Sequence, residues 1–448
     1  MAPGKILVSG WFAFVIILLV VFTALNRGSP KSSVQYLRPP SPRRHMAFPN
    51  RSASTGATNV VKDTDLNVTK NHTLTLTIRM TSTPKFARRL FCDLLRSAVL
   101  FWSPKLGPIS LIMDEESKND RKFAARLVQR EHELGFKFNF LYEPLPQDHK
   151  TVLKSRLGLG YGRQLWSSFM MDLFIDASII AWIDTDGVFT TPVTPENIVN
   201  GQRLRVVSIT QDWKRLHDLS WFQTTERAIG KQMVADFMTY FPVYIWRDTI
   251  INCRNHISRH MNVTRFEDAF RNLYNLSPVN VIMNYAFYFE HDRYDWHLDV
   301  NNDLKSYNKD HVPPGFEIKP SETVPDVQVS IHEGYYNKLP NPLLQGYCVA
   351  KRYVGTLPAF CKPFENVTNF HLFEFCWVVK KFTQEHLSTW CASPEGHRDC
   401  AQRIEAHYAN VVKYYNLGWF DLDLRRVAAV EKIAAQEKCQ CQKVFDLD

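Results

Sequence analysis

The chain has 448 residues, which fits one large α/β domain with appendages or two domains. Hydrophobic residues make up 45% and charged residues 22%, so a disordered chain, a collagen and a coiled-coil rod are excluded. The net charge of +9 is spread thinly, and no basic run is dense enough to argue for nucleic-acid binding. Aromatics at 13% suit a large core, and also suit sugar or nucleobase ligands.

Ile6–Leu25 is a run of 20 residues without a charge, long enough to cross a bilayer core of ~30 Å. A cleaved signal peptide would have a shorter apolar region and a small-residue cleavage site, and neither is present. The expectation is an uncleaved single-pass signal anchor with residues 1–5 as a cytosolic tail. Lys5 flanks one side of it, while Arg27, Lys31, Arg38, Arg43 and Arg44 flank the other. That charge balance alone would favour a cytosolic main domain. The cysteines and the N-x-S/T sequons point the other way. Six sequons begin at Asn50, Asn67, Asn71, Asn262, Asn275 and Asn366. All nine cysteines follow the anchor, as an oxidising lumen would favour. The lumen is therefore the expected location. Residues 26–71 are rich in Pro, Ser, Arg, Asn and Thr without an apolar period, and read as a stem.

Residues 72–340 read as the main domain. Leu74–Arg79 is a predicted strand, followed by the turn Thr81–Pro84 and a helix over Phe86–Trp102. Gly107–Met113 is a second strand, ending at Asp114. Lys118–Leu134 is a helix and Phe136–Tyr142 a third strand. Gly158–Gly162 is expected to break the chain before a helix over Arg163–Phe174. Ser178–Ile183 is a fourth strand, short and apolar. This β-α-β-α-β-α-β order predicts an α/β fold with a mostly parallel sheet, whose ligands bind beyond the carboxyl ends of the strands.

The fourth strand runs into Asp184-Thr185-Asp186. Two carboxylates at that spacing converge on one divalent cation, Mn²⁺ or Mg²⁺, which would neutralise a diphosphate leaving group. Two solvated aspartates at a strand end are the plainer alternative. Thr81 and Ser82, beyond the first strand, are candidate nucleotide contacts or a helix cap. Asp114 is a candidate acceptor for a base or ribose, and Arg163 a candidate phosphate partner.

The anchor, the stem, the βαβ half and the D-x-D together resemble a type II membrane glycosyltransferase of the GT-A type, of Golgi layout. The resemblance spans about residues 72–340 and rests on Asp184-Thr185-Asp186. It implies a nucleotide-sugar donor and a glycan, glycoprotein or glycolipid acceptor. It also implies a further metal ligand near the end of the domain, a place that His332 fits, after the strand-like Val327–Ile331. Inverting enzymes of this type often carry a carboxylate where a late helix starts. Here Ser277-Pro278 caps such a helix, and Pro278, Val279 and Asn280 supply no acid. Glu290 and Asp292, between aromatics, and Asp268 in RFEDAF are the replacement candidates for the catalytic base.

Two other readings stand beside this one. Asp184-Thr185-Asp186-Gly187-Val188 also looks like the first motif of haloacid-dehalogenase-like phosphatases, with Val206–Thr210 as a stand-in for their second. A non-catalytic luminal sugar-binding scaffold is the third reading.

Residues 341–448 hold seven cysteines: Cys348, Cys361, Cys376, Cys391, Cys400, Cys439 and Cys441. Metal spacing is missing, so structural disulfides are expected, with Cys391–Cys400 closing a polar loop. Nine is odd, which leaves one thiol free or linked to a second chain, as in a disulfide-linked homodimer. Gln402–Tyr415 and Leu424–Lys438 have helical spacing. The segment is expected to be a helical, disulfide-pinned extension on the catalytic half.

Overall fold

The computed structural model describes residues 72–153, 158–189, 193–210, 216–238, 241–300, 329–330, 413–414, 417–419 and 424–437. The segment 6–25, the stem, His332 and the seven cysteines after position 341 lie outside them. Among the described residues no helix is long and apolar enough to cross a membrane.

Strands β1 (Leu74–Arg79), β2 (Ile109–Asp114), β3 (Phe138–Glu143) and β4 (Ile179–Trp182) form a sheet in the order β3-β2-β1-β4, all parallel. All six residues of β1 are buried, on both faces, which is why its Leu-Thr alternation sits at the centre rather than at an edge. Each parallel strand is followed or preceded by helix, as the crossovers require. β1 leads into α1 (Pro84–Arg89), which continues through a π-helical turn (Leu90–Leu95) into α2 (Arg96–Phe101). β2 leads into α3 (Lys118–Val128), capped by Ser117, whose side chain accepts from the Asp120 amide at 3.1 Å. α4 (Leu159–Ser168) delivers the chain to β4.

Three predicted boundaries are corrected. The helix foreseen over Lys118–Leu134 is interrupted after Val128, and a separate turn covers Glu131–Leu134. The glycines at 158–162 do not break the chain: only Gly158, at φ 97°, lies outside, and Gly160 and Gly162 form the first turn of α4. A Cβ on Gly162 would stand 2.3 Å from the Leu153 carbonyl oxygen, so this glycine permits a close approach. α4 ends at Ser168, and Met171–Phe174 is a turn of its own.

Beyond β4 come a short ribbon strand β5 (Gly187–Val188), then β6 (Val199–Asn200) and β7 (Arg203–Thr210). α5 (Phe222–Ile229) precedes β8 (Val243–Trp246), which joins the main sheet antiparallel to β4. α6 (Arg247–His260), α7 (Phe266–Arg271) and α8 (Pro278–Phe289) follow, and then β9 (Tyr294–Val300), which pairs parallel with β7. Ser277 caps α8 as its sequence predicts, accepting from the Asn280 amide at 3.4 Å. β10 (Val329–Ser330) pairs antiparallel with β5.

α9 (Leu424–Gln436) realises the later of the two helices expected in the C-terminal segment. It docks on α2: the buried Arg96 guanidinium meets both Glu431 oxygens, at 2.8 and 3.1 Å. Arg426 donates to the Leu134 carbonyl at 2.7 Å. Cys92, in the π-helical turn, is disulfide-bonded, whereas Cys253 is a buried free thiol.

Candidate active site

The chain order β1, β2, β3 builds the sheet outward in one direction, and β4 then returns to the other side of β1. The crevice between the carboxyl ends of β1 and β4 is therefore the topological switch point, where open α/β sheets bind ligands. Ile183 still donates to the Thr77 carbonyl at 3.0 Å, so the ladder ends one residue before Asp184. The acidic pair thus lies at the switch point.

Three helical side chains reach the pair. Arg89, at the end of α1, stands 3.3 Å from Asp186. Gln164 of α4 places its amide nitrogen 3.5 Å from Asp184. Tyr161, one turn earlier on α4, has its pKa raised by burial and by the Asp184 charge. Burial and the neighbouring charge of Asp186 push Asp184 up to about 7, and Arg89 offsets only part of this. Asp184 and Asp186 share a confined site beside the Arg89 guanidinium, and the Asp186 charge helps to raise Asp184, so a divalent cation there would favour the ionised form of both.

Oxygen donors of this kind fit Mn²⁺ or Mg²⁺. Among the described residues no third His, Cys, Asp or Glu completes a metal-sized group with the pair. The ribbon does bring the later segment close. Ser330 pairs with Gly187, the residue after Asp186, and His332 follows two positions on in the sequence. Gly187 carries no side chain for a local reason: a Cβ there would meet Ile183 at 2.6 Å.

The ends of β1, β2 and β3 carry a buried polar network. Arg79 pairs with Asp114 and stands 3.6 Å from Glu143. Arg163 stands 3.2 Å from Asp114 and 3.7 Å from Glu143, pairs with Glu116, and donates to the Glu143 carbonyl. Burial raises the pKa of Glu143, against the pull of Arg79, Ser167 and Arg163. Burial would also raise Glu116, but its hydrogen bond to Arg163 and the charges of Arg163 and Arg79 outweigh it and hold Glu116 low. Asp114 thus ends β2 as the sequence predicts, yet both it and Arg163 are engaged with other side chains. Below them, Asp120 accepts from the Ser82 amide at 2.8 Å and from the Asp114 amide at 3.0 Å. Thr81 is half-buried beside this bridge.

The three candidate bases are not brought to the acidic pair. Glu290 ends α8 and is held by Thr249, by Asn252 at 2.9 Å and by Arg293 at 2.8 Å. Thr249 and Asn252 follow β8, whose last residue Trp246 pairs with Ile179 at the amino end of β4. Glu290 and the exposed Asp292 therefore occupy the opposite end of the sheet from Asp184. Asp268 lies on α7, in a surface ion pair with Arg271 at 3.2 Å. Phe237 and Phe241, which precede β8, are buried in the core.

An acid that the sequence did not single out is held in the core beside α8. Asp236 lies seven residues before Val243, which pairs with Trp182 at the carboxyl end of β4. Its Oδ1 accepts from Asn280 Nδ2 at 2.8 Å and from the Met238 amide at 3.1 Å. Asn280 in turn accepts from the Phe237 amide at 2.7 Å. A carboxylate is thereby held against the first turn of α8, delivered from another part of the chain. Burial raises its pKa, against the Asn280 and Met238 hydrogen bonds. Its only sequence signal is a lone acid between buried apolar neighbours, Val234, Ala235 and Phe237.

No protein-family model matches the chain, and no curated protein matches it by sequence. Solved structures align weakly. The apo form of mouse xyloside xylosyltransferase 1 aligns at 12% identity over 55% of this chain and 96% of its own, with a TM-score of 0.30. The mannosyltransferase PcManGT from Pyrobaculum calidifontis, in complex with GDP-Man and Mn²⁺, aligns at 8% identity over 85% and 89%, with a TM-score of 0.28. S. aureus TarS, residues 1–349, aligns at 9% identity over 82% and 90%, with a TM-score of 0.25. Likenesses of this degree carry no weight for the reaction. What stands is a mixed α/β fold with a mostly parallel sheet, flanking helices and an acidic pair at its switch point.

Proposed function

We propose that the chain is a metal-dependent glycosyltransferase that moves a sugar from a nucleotide-diphosphate donor to an acceptor hydroxyl of a glycan, protein or lipid. The observation that carries this reading is the acidic pair at the switch point, with Asp184 raised to about 7 by burial and by Asp186. In this reading Asp184 and Asp186, with His332, hold Mn²⁺ or Mg²⁺. The bound ion would supply Lewis-acid neutralisation of the diphosphate. Gln164 orients Asp184, while Arg89 holds Asp186 until a cation takes its place. Asp236, whose burial raises the proton affinity of its carboxylate, is in its ionised form the proposed acceptor of the proton from the attacking hydroxyl. The new bond joins that oxygen to the anomeric carbon, and the bond from that carbon to the diphosphate breaks.

The setting we propose is the Golgi lumen, with residues 6–25 as a type II anchor. The disulfide at Cys92 supports an oxidising compartment. The exposed sequon residues Asn262 and Asn275 are compatible with it.

Thermal stabilisation of the full-length chain by UDP-, GDP- and CMP-linked sugars, with and without Mn²⁺, tests the reading. A true donor at a hundredfold excess over its Kd adds about 2.7 kcal/mol of apparent stability. The expected result is a shift that requires metal and disappears in Asp186→Ala. No shift with any nucleotide sugar, together with hydrolysis of p-nitrophenyl phosphate and phosphorylation of Asp184, would establish the phosphatase instead.

A further inference from the structure

At the opposite end of the sheet from the acidic pair there is an open cavity of about 800 Å³. Ser178, just before β4, and Trp246, at the end of β8, both line it. Six residues of chain separate Ser178 from Asp184, or about 20 Å if extended, so the two sites are distinct. The volume falls in the range of small-molecule sites.

The lining has an unusual charge arrangement. Arg203, Arg247 and Arg293 contribute three guanidinium groups, and Asp176, Asp248 and Asp292 contribute three carboxylates. The guanidinium groups are already engaged. Arg203 stands 3.5 Å from Asp295, Arg293 lies 2.7 Å from Asp248 and 2.8 Å from Glu290, and Arg247 donates to the Asp172 carbonyl at 3.0 Å. Among the described residues nothing pairs with the carboxylates of Asp176 or Asp292, and both side chains are exposed. The apolar part is aromatic. Trp246 has His72 edge-on at 4.9 Å and the Arg293 guanidinium over it at 5.6 Å.

An anionic ligand would meet two unpaired carboxylates, while Arg203 and Arg293 are already paired with acids and Arg247 is held by a backbone carbonyl. A cation would meet the Arg247 charge, which is bonded to a carbonyl rather than to an acid. A neutral ligand rich in hydroxyls meets neither obstacle. Its hydroxyls can donate to Asp176 and Asp292 and exchange hydrogen bonds with the Gln202 amide and the Ser178 hydroxyl, while C–H faces pack on the aromatic edge. We propose that this cavity is a second site that binds a neutral saccharide. The proposal does not depend on the donor site.

Saturation-transfer NMR on the full-length chain tests it, with mannotriose, xylotriose and triacetylchitotriose as probes and spermidine as a cationic competitor. The expected result is saturation of at least one trisaccharide, weakened about tenfold in Asp176→Ala and in Gln202→Ala. Both side chains are exposed, so both variants are expected to keep the circular dichroism of the parent chain. The metal-dependent shift with nucleotide sugars should be unchanged in them. Absence of transfer to every trisaccharide, binding that neither variant weakens, or displacement by spermidine would each overturn the proposal, whatever the outcome at the Asp184 site.

Discussion

Arg89 of α1 and Asp186, just beyond β4, meet at 3.3 Å, so the helix that follows the first strand neutralises an acid that follows the fourth. The contact crosses the switch point and competes with any cation for the same carboxylate. Arg89→Ala should therefore act in two directions. The metal-free protein should lose about 1–3 kcal/mol, because a largely buried carboxylate loses a charged partner. Mn²⁺ should bind several-fold more tightly and give a larger rise in Tm. Weaker Mn²⁺ binding in the variant, measured by calorimetry, would show that Arg89 assists the metal.

Asp236 gives a prediction about pH. Burial raises its folded pKa above the ordinary carboxylate value. The folded state therefore holds the proton more tightly than the unfolded chain does. The resulting stability is complete below the unfolded pKa of about 4 and is lost as pH rises through the folded pKa. Asn at this position keeps an Oδ1 for both the Asn280 and Met238 donors while removing the charge. Asp236→Asn should flatten the pH dependence in urea denaturation above the unfolded pKa and match or exceed the parent stability once pH has passed the folded pKa. If Asp236 accepts the proton, the same variant should lose transfer activity. Stable and fully active protein would leave Asp236 a structural role only.

Glu431 tests how α9 is held. Its carboxylate takes hydrogen bonds from two nitrogens of Arg96, whose side chain is 1% exposed. Glu431→Ala would take this carboxylate away from a buried guanidinium, at a cost of about 3–5 kcal/mol. Hydrogen exchange should show α9 opening before the sheet does. A loss below about 1 kcal/mol, typical of exposed pairs, would mean that Arg96 reaches water once Glu431 is gone.

Local chemistry explains which parts of the fold were legible. β1 was read at its observed boundaries because all six of its residues are buried and flanked by polar turns. The Ser277-Pro278 cap was legible because cap and helix are adjacent in sequence. The π-helical turn at Leu90–Leu95 was not, since its apolar spacing also fits an α-helix. The glycine at 162 suggested a break because its packing reason, the Leu153 carbonyl, lies outside the motif. The acidic pair was visible as a strand-end motif. Asp236 was not, because the Asn280 that holds it is 44 residues away.

Arg163 shows the same limit and yields the last prediction. Its position at the start of a helix suggested a phosphate partner, but its donors point to Asp114, Glu116 and the Glu143 carbonyl. These partners come from the ends of β2 and β3 and the turn after β2, which no local pattern reveals. A planar guanidinium can serve several of them at once, whereas an ammonium serves them as a point charge. Arg163→Lys should therefore destabilise the nucleotide-free protein by about 3 kcal/mol, the scale of a broken buried pair. The metal-dependent shift with a donor should persist at temperatures where the variant remains folded. A variant of parent stability that has lost donor binding would return Arg163 to the phosphate.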